Sequence, residues 1–397
     1  MLIRNTDASY GRPLDSNDAE TLSLAAAHTV QRFLRHRSDY GPTPLQQLPA
    51  LSRDLGVSAI SVKDEGQRLG VGSFKALGGA YALIRLVLEE GERRLSRPLD
   101  FHDLSGSEVR AIAAQMTFGC ATDGNHGRSV AYGAQLVGAR ATIFVHEGVS
   151  AQRVAAIARY GAEIIRVSGT YDDSVREAAR VCDERGWTIL SDTSWPGYER
   201  IPGLVMQGYA AIASEAIRQL PEPPTHIFIQ AGVGGIAAAL AGHFAIVLGN
   251  KRPTLIVVEP ARAACLFATA KAGHPVKVEP GEPTVMAMLE CYEPSLIAWR
   301  ILSRTADAFM TVEEEDAVAA MIRLARPSGG DPAIVAGESG GVGLAGLVRV
   351  ASDKRWREIL GLGPAARVLL INTEGATDPE RYRELTGLDP ASVGQVP

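Results

Sequence analysis

Cysteine is scarce in this sequence, and the few cysteines are not arranged as metal ligands. The 397 residues contain four cysteines, and no two of them form a C-x-x-C pair. The eight histidines show no H-E-x-x-H motif, so no metal site is predicted. Scattered thiols do not make a disulfide framework. Cys265 and Cys291 could meet across one loop, but we expect reduced thiols.

Long apolar runs and a strong excess of one charge are also lacking. No run could span a bilayer, and the first residues lack the apolar segment of a signal peptide, so no membrane partner and a cytoplasmic location are predicted. The formal net charge of −5 gives no electrostatic reason to bind nucleic acid. With 46% hydrophobic and 21% charged residues the chain is expected to be globular, and its length favours two domains.

Glycine, by contrast, is abundant, at 41 residues or about 10% against an average of about 7%. Many glycines stand where a strand-like run passes into a helical one. Such runs alternate from Met116 to Ser191 and again from Pro202 to Asn372. The alternation predicts an α/β fold with parallel sheets built from βαβ units. Residues 91–108 and 273–296 lack it and are predicted to be loops.

One lysine stands in unusual surroundings. Lys75 follows a loop of small residues and Phe74, and it starts a helical run that is predicted to reach about Glu90. No acidic residue lies within several positions of it. Desolvation lowers the pKa of a lysine and leaves an amine that can attack an aldehyde. The alternative is an ordinary surface lysine at the start of a helix.

A glycine loop follows a strongly apolar strand and opens a helix. Its residues are Gly232, Val233, Gly234 and Gly235. Free backbone N–H groups at such a turn, with the helix dipole, make a cradle for phosphate. The same stretch also fits a dinucleotide fingerprint, G-x-G-x-x-A, because Ala237 follows and Glu259 ends the next predicted strand. Close packing of the turn is a third possibility.

Two aspartates follow predicted strands. Asp123 stands two residues before Asn125, and Asp192 follows a different strand. A carboxylate beside a buried turn is costly to desolvate unless it has a partner or a task such as proton abstraction. Either aspartate could instead form an Asx turn, and Asn125 could be the N-cap of its helix. Thr373 ends the last predicted strand, and a threonine in that position does not by itself indicate a function.

Several short stretches occur in order along the chain. They are S-V-K-D-E at 61–65, V-G-S-F-K-A-L-G-G-A at 71–80, T-D-G-N-H-G-R at 122–128, S-D-T at 191–193, Q-A-G-V-G-G at 230–235 and N-T-E-G at 372–375. Together they resemble the tryptophan-synthase-β, or fold type II, family of pyridoxal-phosphate enzymes. The stretches at 122–128 and 191–193 are most similar to its diaminopropionate ammonia-lyase branch. The likeness runs from about residue 41 to about residue 378.

The resemblance implies a fold and a cofactor, pyridoxal 5'-phosphate. Two open parallel-sheet domains would hold the cofactor in the cleft between them, with a large domain at 1–84 and 200–397 and a small domain at 85–199. Lys75 would bind its aldehyde, the loop of Gly232, Val233, Gly234 and Gly235 its phosphate, Asn125 its 3'-oxygen and Thr373 its ring nitrogen. A neutral hydroxyl at that nitrogen leaves a weaker electron sink, which suits β-elimination better than transamination.

The resemblance also implies a reaction. A small amino acid, 2,3-diaminopropionate, would lose ammonia and yield pyruvate and a second ammonia, with Asp123 as base for the D-isomer and Asp192 for the L-isomer. A homodimer is common in the family. A serine, threonine or hydroxyaspartate dehydratase is the nearest alternative, because a hydroxyl leaving group does not need Asp123. An NAD-dependent dehydrogenase built on the glycine loop and Glu259 is an alternative of another class.

Overall fold

The computed structural model describes residues 1–36, 40–122 and 124–394. This described chain divides into two compact units. The first comprises Met1–Leu24, Pro42–Gln67 and Ile212–Pro397, and the second comprises Ala25–Gly41 and Arg68–Ala211. The boundaries predicted from the sequence differ, because 25–41, 68–84 and 200–211 belong to the second unit.

In the described part of the first unit, one seven-stranded sheet has the order β1-β10-β9-β8-β11-β3-β2. Its central strands run parallel, whereas β1 pairs antiparallel with β10 and β2 pairs antiparallel with β3. The strands are β1 (Leu2–Arg4), β2 (Leu45–Gln47), β3 (Ala59–Asp64), β8 (His226–Gln230), β9 (Thr254–Pro260), β10 (Ala308–Val312) and β11 (Arg367–Asn372). The helices are α1 (Ser16–Thr21), α3 (Pro49–Leu55), α10 (Gly235–Leu248), α11 (Cys265–Ala272), α12 (Leu296–Thr305), α13 (Glu314–Ala325), α14 (Val342–Ser352), α15 (Lys354–Leu360) and α16 (Pro379–Thr386).

In the second unit, the described residues form a four-stranded parallel sheet of order β6-β5-β4-β7. The strands are β4 (Thr117–Ala121), β5 (Arg140–His146), β6 (Glu163–Val167) and β7 (Thr188–Ile189). The helices are α2 (Leu24–Arg35), α4 (Lys75–Leu95), α5 (Ser107–Ala113), α6 (Asn125–Val137), α7 (Ala151–Ala158), α8 (Tyr171–Arg185) and the first part of α9 (Arg200–Gln219). No helix in the described chain combines the length and the apolar character needed to cross a membrane.

The sheets follow from the alternation read in the sequence. Strand β8 is buried along its whole length, as a central parallel strand must be. Helices α6 and α8 end at Gly138 and Gly186, whose φ angles of 78° and 63° lie in the left-handed region that glycine adopts at little cost. The prediction of parallel α/β sheets is therefore confirmed.

Two segments predicted as loops contain helix. Helix α4 continues to Leu95, and a 3-10 helix at Phe101–Ser105 precedes α5, so 91–108 is mostly ordered secondary structure. Residues 273–296 are irregular except for a short 3-10 helix, and they end where α12 begins. The prediction at 91–108 was wrong because Phe101 and Leu104 are buried, which a polar composition conceals.

A fully buried ion pair lies in the first unit. The ammonium of Lys63 on β3 lies 2.7 Å from a carboxylate oxygen of Glu215, and neither side chain is exposed. The ammonium also donates to the carbonyl of Thr43 at 2.7 Å and to the amide oxygen of Gln219 at 2.8 Å. These bonds tie the turn before β2 to helix α9. The pair therefore has both the charge partner and the hydrogen bonds that burial of a lysine requires.

We expect Lys63→Met to lower the free energy of unfolding by about 3–5 kcal/mol, because Glu215 would stay buried after losing the ammonium that lies 2.7 Å from its carboxylate. The double variant Lys63→Met/Glu215→Leu removes both charges and should lose much less. Urea unfolding of the three cofactor-free proteins measures both differences. Equal losses in the single and double variants would contradict this account of the pair.

Candidate functional site

Lys75 is the first residue of α4, as the sequence predicted, and it contacts a carboxylate. Its ammonium forms an ion pair with Asp192, and 21% of the lysine side chain and 16% of the aspartate side chain are exposed. The ring of Phe74 lies 5.3 Å from the ammonium. The alternative of an ordinary surface lysine is therefore wrong. The contact brings together two of the predicted site residues, which are 117 positions apart in the chain.

Glycines hold the first turn of α4 against α9. A Cβ on Gly78 would lie 2.7 Å from Val205, and one on Gly208 would overlap the carbonyl of Leu77. Both approaches are closer than any side chain permits, so each position needs glycine. The close helix contact fixes where α4 begins, and with it the position of Lys75.

Asp192 lies on the loop after β7. Burial raises the pKa of its carboxyl, but His126, which is protonated at the low pH where this carboxyl titrates, and the contacting Lys75 ammonium lower it by more, so this pKa lies below the usual range. The loop is fixed by Tyr198, whose hydroxyl donates to the carbonyl of Ile189 at 2.9 Å and accepts from the N–H of Ser191 at 3.0 Å. Asp192 is thus an ionised carboxylate on a loop that Tyr198 holds by two hydrogen bonds.

His126 faces Asp192 as a neutral ring. Burial lowers its pKa, and the nearby Asp192 charge, which acts in the opposite direction, does not compensate. Its Nε2 lies 3.0 Å from the carbonyl oxygen of Leu190, which can only accept, so Nε2 carries the hydrogen. Nδ1 then presents a lone pair 3.9 Å from Asp192.

The hydroxyl of Thr122 holds the start of helix α6, which we call the asparagine turn (residues 124–127). That oxygen accepts from the N–H groups of Gly124 at 3.0 Å and Gly127 at 3.2 Å. Helix α6 begins at Asn125 with Gly124 as its N-cap, so the alternative that Asn125 caps this helix is wrong. Asn125 is buried. Asp123, predicted as a second base, lies outside the residues that the structure describes.

In the first unit, the loop from Gly232 to Gly235 joins β8 to the start of α10. Its backbone N–H groups donate to no other group in the described chain. Gly234 has a φ of 100°, and a Cβ on Gly232 would lie 2.8 Å from the Cys291 sulfur. Cys265, like Cys291 a free thiol, lies 3.7 Å from the Gly232 carbonyl. Unused N–H groups at a helix N-terminus fit a phosphate group.

Glu259 does not serve a dinucleotide. Its carboxylate accepts from the backbone N–H groups of Leu266 at 2.8 Å and Phe267 at 2.6 Å, at the start of α11. Burial raises its pKa to about 8, although these N–H groups lower it in part. The side chain is fully buried. The carboxylate that would bind a ribose is therefore already used by the backbone at the start of α11. This argues against the dehydrogenase alternative.

Thr373 follows β11 and is buried. Its hydroxyl oxygen lies 2.9 Å from the side-chain nitrogen of Gln230, at the end of β8. Its N–H donates to the carbonyl of Gly340 at 3.2 Å. The loop at 338–341, the end of β8 and the end of β11 therefore meet at one point of the first unit.

Comparison with known proteins agrees with this geometry. Residues 37–374 match the family model described as pyridoxal-phosphate dependent enzyme. The chain belongs to this family of pyridoxal-phosphate-dependent enzymes. Its fold is fold type II, and its cofactor is pyridoxal phosphate, as the sequence predicted. The N–H groups of the glycine loop fit the phosphate of that cofactor, and the amine of Lys75 fits its aldehyde.

Among members of this pyridoxal-phosphate-dependent family, the chain is similar to diaminopropionate ammonia-lyases. It is 40% identical to that of Escherichia coli (strain K12) over 94% of each chain. It is 38% identical to that of Salmonella typhimurium over 89% of each chain. The crystal structure of the E. coli enzyme with D-serine matches at a TM-score of 0.87 and 37% identity, covering 97% of this chain and 96% of that chain. The predicted resemblance is confirmed.

The sequence interpretation missed the supporting hydrogen bonds of three residues of this pyridoxal-phosphate enzyme. Thr122 holds the asparagine turn, Tyr198 holds the Asp192 loop, and Gln230 contacts Thr373. Thr122 and Gln230 stand inside the stretches that carried the family resemblance, so their position was a signal. Tyr198 had none, because its hydrogen bonds reach back seven and nine residues around an irregular turn.

Proposed function

We propose that this protein is a diaminopropionate ammonia-lyase, which eliminates ammonia from 2,3-diaminopropionate and yields pyruvate and a second ammonia. The observation that carries the proposal is the ion pair between Lys75 and Asp192. It places a proton acceptor directly beside the amine that reacts with an aldehyde. Relatives with this name align along nearly the whole chain.

Each proposed contact to the cofactor has its own residue or loop. Lys75 binds the aldehyde, Asn125 binds the 3'-oxygen, and Thr373 bonds to the ring nitrogen. The backbone of the glycine loop, Gly232, Val233, Gly234 and Gly235, binds the phosphate. When bound, pyridoxal phosphate supplies a ring that withdraws electrons from the substrate Cα. These assignments rest on the family motifs together with the free N–H groups of the loop and the buried hydroxyl of Thr373.

We propose two bases for two enantiomers. Asp192 removes the Cα proton of L-diaminopropionate, and Asp123 removes that of the D-isomer and also offers a countercharge to the β-ammonium. The electron pair of the broken C–H bond forms the Cα–Cβ double bond, and the β-ammonium group leaves as ammonia with the electron pair of the broken Cβ–N bond. Water then hydrolyses the released aminoacrylate to pyruvate and a second ammonia.

The test measures pyruvate and ammonia together, using purified enzyme with pyridoxal phosphate. Elimination from diaminopropionate gives two ammonia per pyruvate, whereas dehydration of serine gives one. We expect kcat/KM for at least one diaminopropionate enantiomer to exceed that for L-serine and L-threonine by about 10²-fold or more, because the site discriminates by a charged leaving group. Faster turnover of a hydroxy amino acid would identify a dehydratase instead.

We also propose a homodimer in the cytoplasm. The cytoplasmic location is supported by the four free thiols, three of which are buried. The dimer is supported by the family resemblance alone. Sedimentation of the purified enzyme tests it, and a species of one chain would contradict it.

A further inference from the structure

The buried side-chain amide of Gln230 lies among several hydrogen-bond acceptors. Its Nε2 is 2.5 Å from the carbonyl oxygen of Gly340, 3.1 Å from that of Ile371 and 3.2 Å from that of Ser339. The hydroxyl oxygen of Thr373 is 2.9 Å from the same nitrogen. Only 1% of Gln230 is exposed, so water does not compete for these bonds.

These neighbours fix the orientation of the amide. Carbonyl oxygens can only accept, so the nitrogen of Gln230 must face them. Its Oε1 meets no donor in the described chain, so no bond favours the opposite orientation. The amide has two N–H groups for these acceptors, and the hydroxyl oxygen of Thr373 is the second nearest of them after the Gly340 carbonyl. We therefore assign one N–H to that hydroxyl oxygen, which then accepts.

The hydroxyl hydrogen of Thr373 is consequently left to point elsewhere. Among the described residues its one acceptor is the Ser339 carbonyl at 3.5 Å. An O–H···O bond is ordinarily about 2.7–2.8 Å long, so this contact is weak. The hydroxyl is a buried donor whose hydrogen is available to a better acceptor.

We propose that Gln230 is a positioning residue that makes Thr373 a hydrogen-bond donor to the pyridine nitrogen of the cofactor. This inference rests on the proposed function, in which Thr373 meets that nitrogen. A nitrogen that accepts a hydrogen bond stays unprotonated, and the N–H dipole of Gln230 nearby also disfavours a proton there. Gln230 thereby keeps the ring a moderate electron sink, which favours elimination over transamination.

The primary test is Gln230→Met, which keeps the volume and removes the N–H. Without that donor the Thr373 oxygen is free to accept from a protonated ring. We expect the ¹⁵N resonance of enzyme loaded with ring-labelled pyridoxal phosphate to move towards the protonated position. In abortive transamination the cofactor keeps the α-nitrogen, and the carbon skeleton leaves as a 2-oxo acid with its β-amino group. The share of turnovers ending so should rise about tenfold.

Asn5 offers a matched control. Its side-chain nitrogen also donates to three backbone carbonyls, those of Leu302, Ser303 and Ala306 at 3.3, 2.8 and 2.8 Å, in the same unit. Asn5→Leu should therefore lower the midpoint of urea unfolding about as much as Gln230→Met does and leave the ring resonance unchanged. In a Thr373→Val background, Gln230→Met should no longer move that resonance.

The outcomes separate the claims. A Gln230→Met variant that loses stability as Asn5→Leu does, with no movement of the ¹⁵N resonance, would overturn the positioning role. So would an equal movement in Asn5→Leu. A wild-type protein that binds no pyridoxal phosphate would overturn both this inference and the proposed function. One that binds it but prefers hydroxy amino acids would overturn the proposed function alone.

Discussion

Replacement of Lys75 by alanine is expected to lower kcat by at least about 10³-fold, the upper part of the range for loss of a group that both binds the cofactor covalently and moves protons. The covalent link should disappear as well. Borohydride treatment of the wild type should fix the cofactor on the peptide that contains Lys75. In Lys75→Ala it should fix none.

Exposed Lys271 on α11 is the control for this experiment. Lys271→Ala should keep both the activity and the labelling of the Lys75 peptide. Borohydride labelling at any other lysine in the wild type would contradict the assignment of Lys75, whatever the activities.

Asn substitutions at the two proposed bases are expected to separate the enantiomers. Asp192→Asn should lower turnover of L-diaminopropionate by about 10²–10⁴-fold and that of the D-isomer far less, and Asp123→Asn should do the reverse. The reason is that we propose each carboxylate as the base for one face of Cα. In Asp192→Asn, Lys75 also loses its ion-pair partner, so some loss with both isomers is expected in addition.

Initial rates of pyruvate formation from each pure enantiomer measure this separation. Asp103→Asn, which changes an aspartate in the cap of a 3-10 helix of the second unit, is the matched control and should alter neither rate. Two variants that lose both enantiomers equally would rule out the assignment of one base to each face.

Element boundaries could be predicted from the sequence where a local pattern of turn-forming and apolar residues determines them. The glycine loop and the start of α4 combine turn-forming residues with an apolar run, so the boundaries at Gly235 and Lys75 followed from the sequence. Strand β10 and helix α12 did not, because they carry no motif and follow an irregular segment. Their burial depends on partners distant in the chain.

Charge partners were less accessible to sequence reasoning. The sequence around Lys75 does not predict Asp192 as its ion-pair partner, and the sequence around Lys63 does not predict Glu215. Glu259 shows the converse, because its place near the end of a strand suggested a role in binding a ligand, whereas its carboxylate accepts hydrogen bonds from the backbone at the start of α11. A carboxylate in a sequence can be a base, a cap or a countercharge, and only the fold distinguishes these.

The two outermost strands of the larger sheet bear on how this enzyme can associate. Strands β1 and β2 are three residues long each and run antiparallel to their neighbours. Exposed strand edges invite another chain to extend the sheet, and short edge strands leave few free N–H and C=O groups for that purpose. The long parallel strands are thus shielded from aggregation. A second copy that joins this chain must do so through helix and loop surfaces rather than by continuing the sheet.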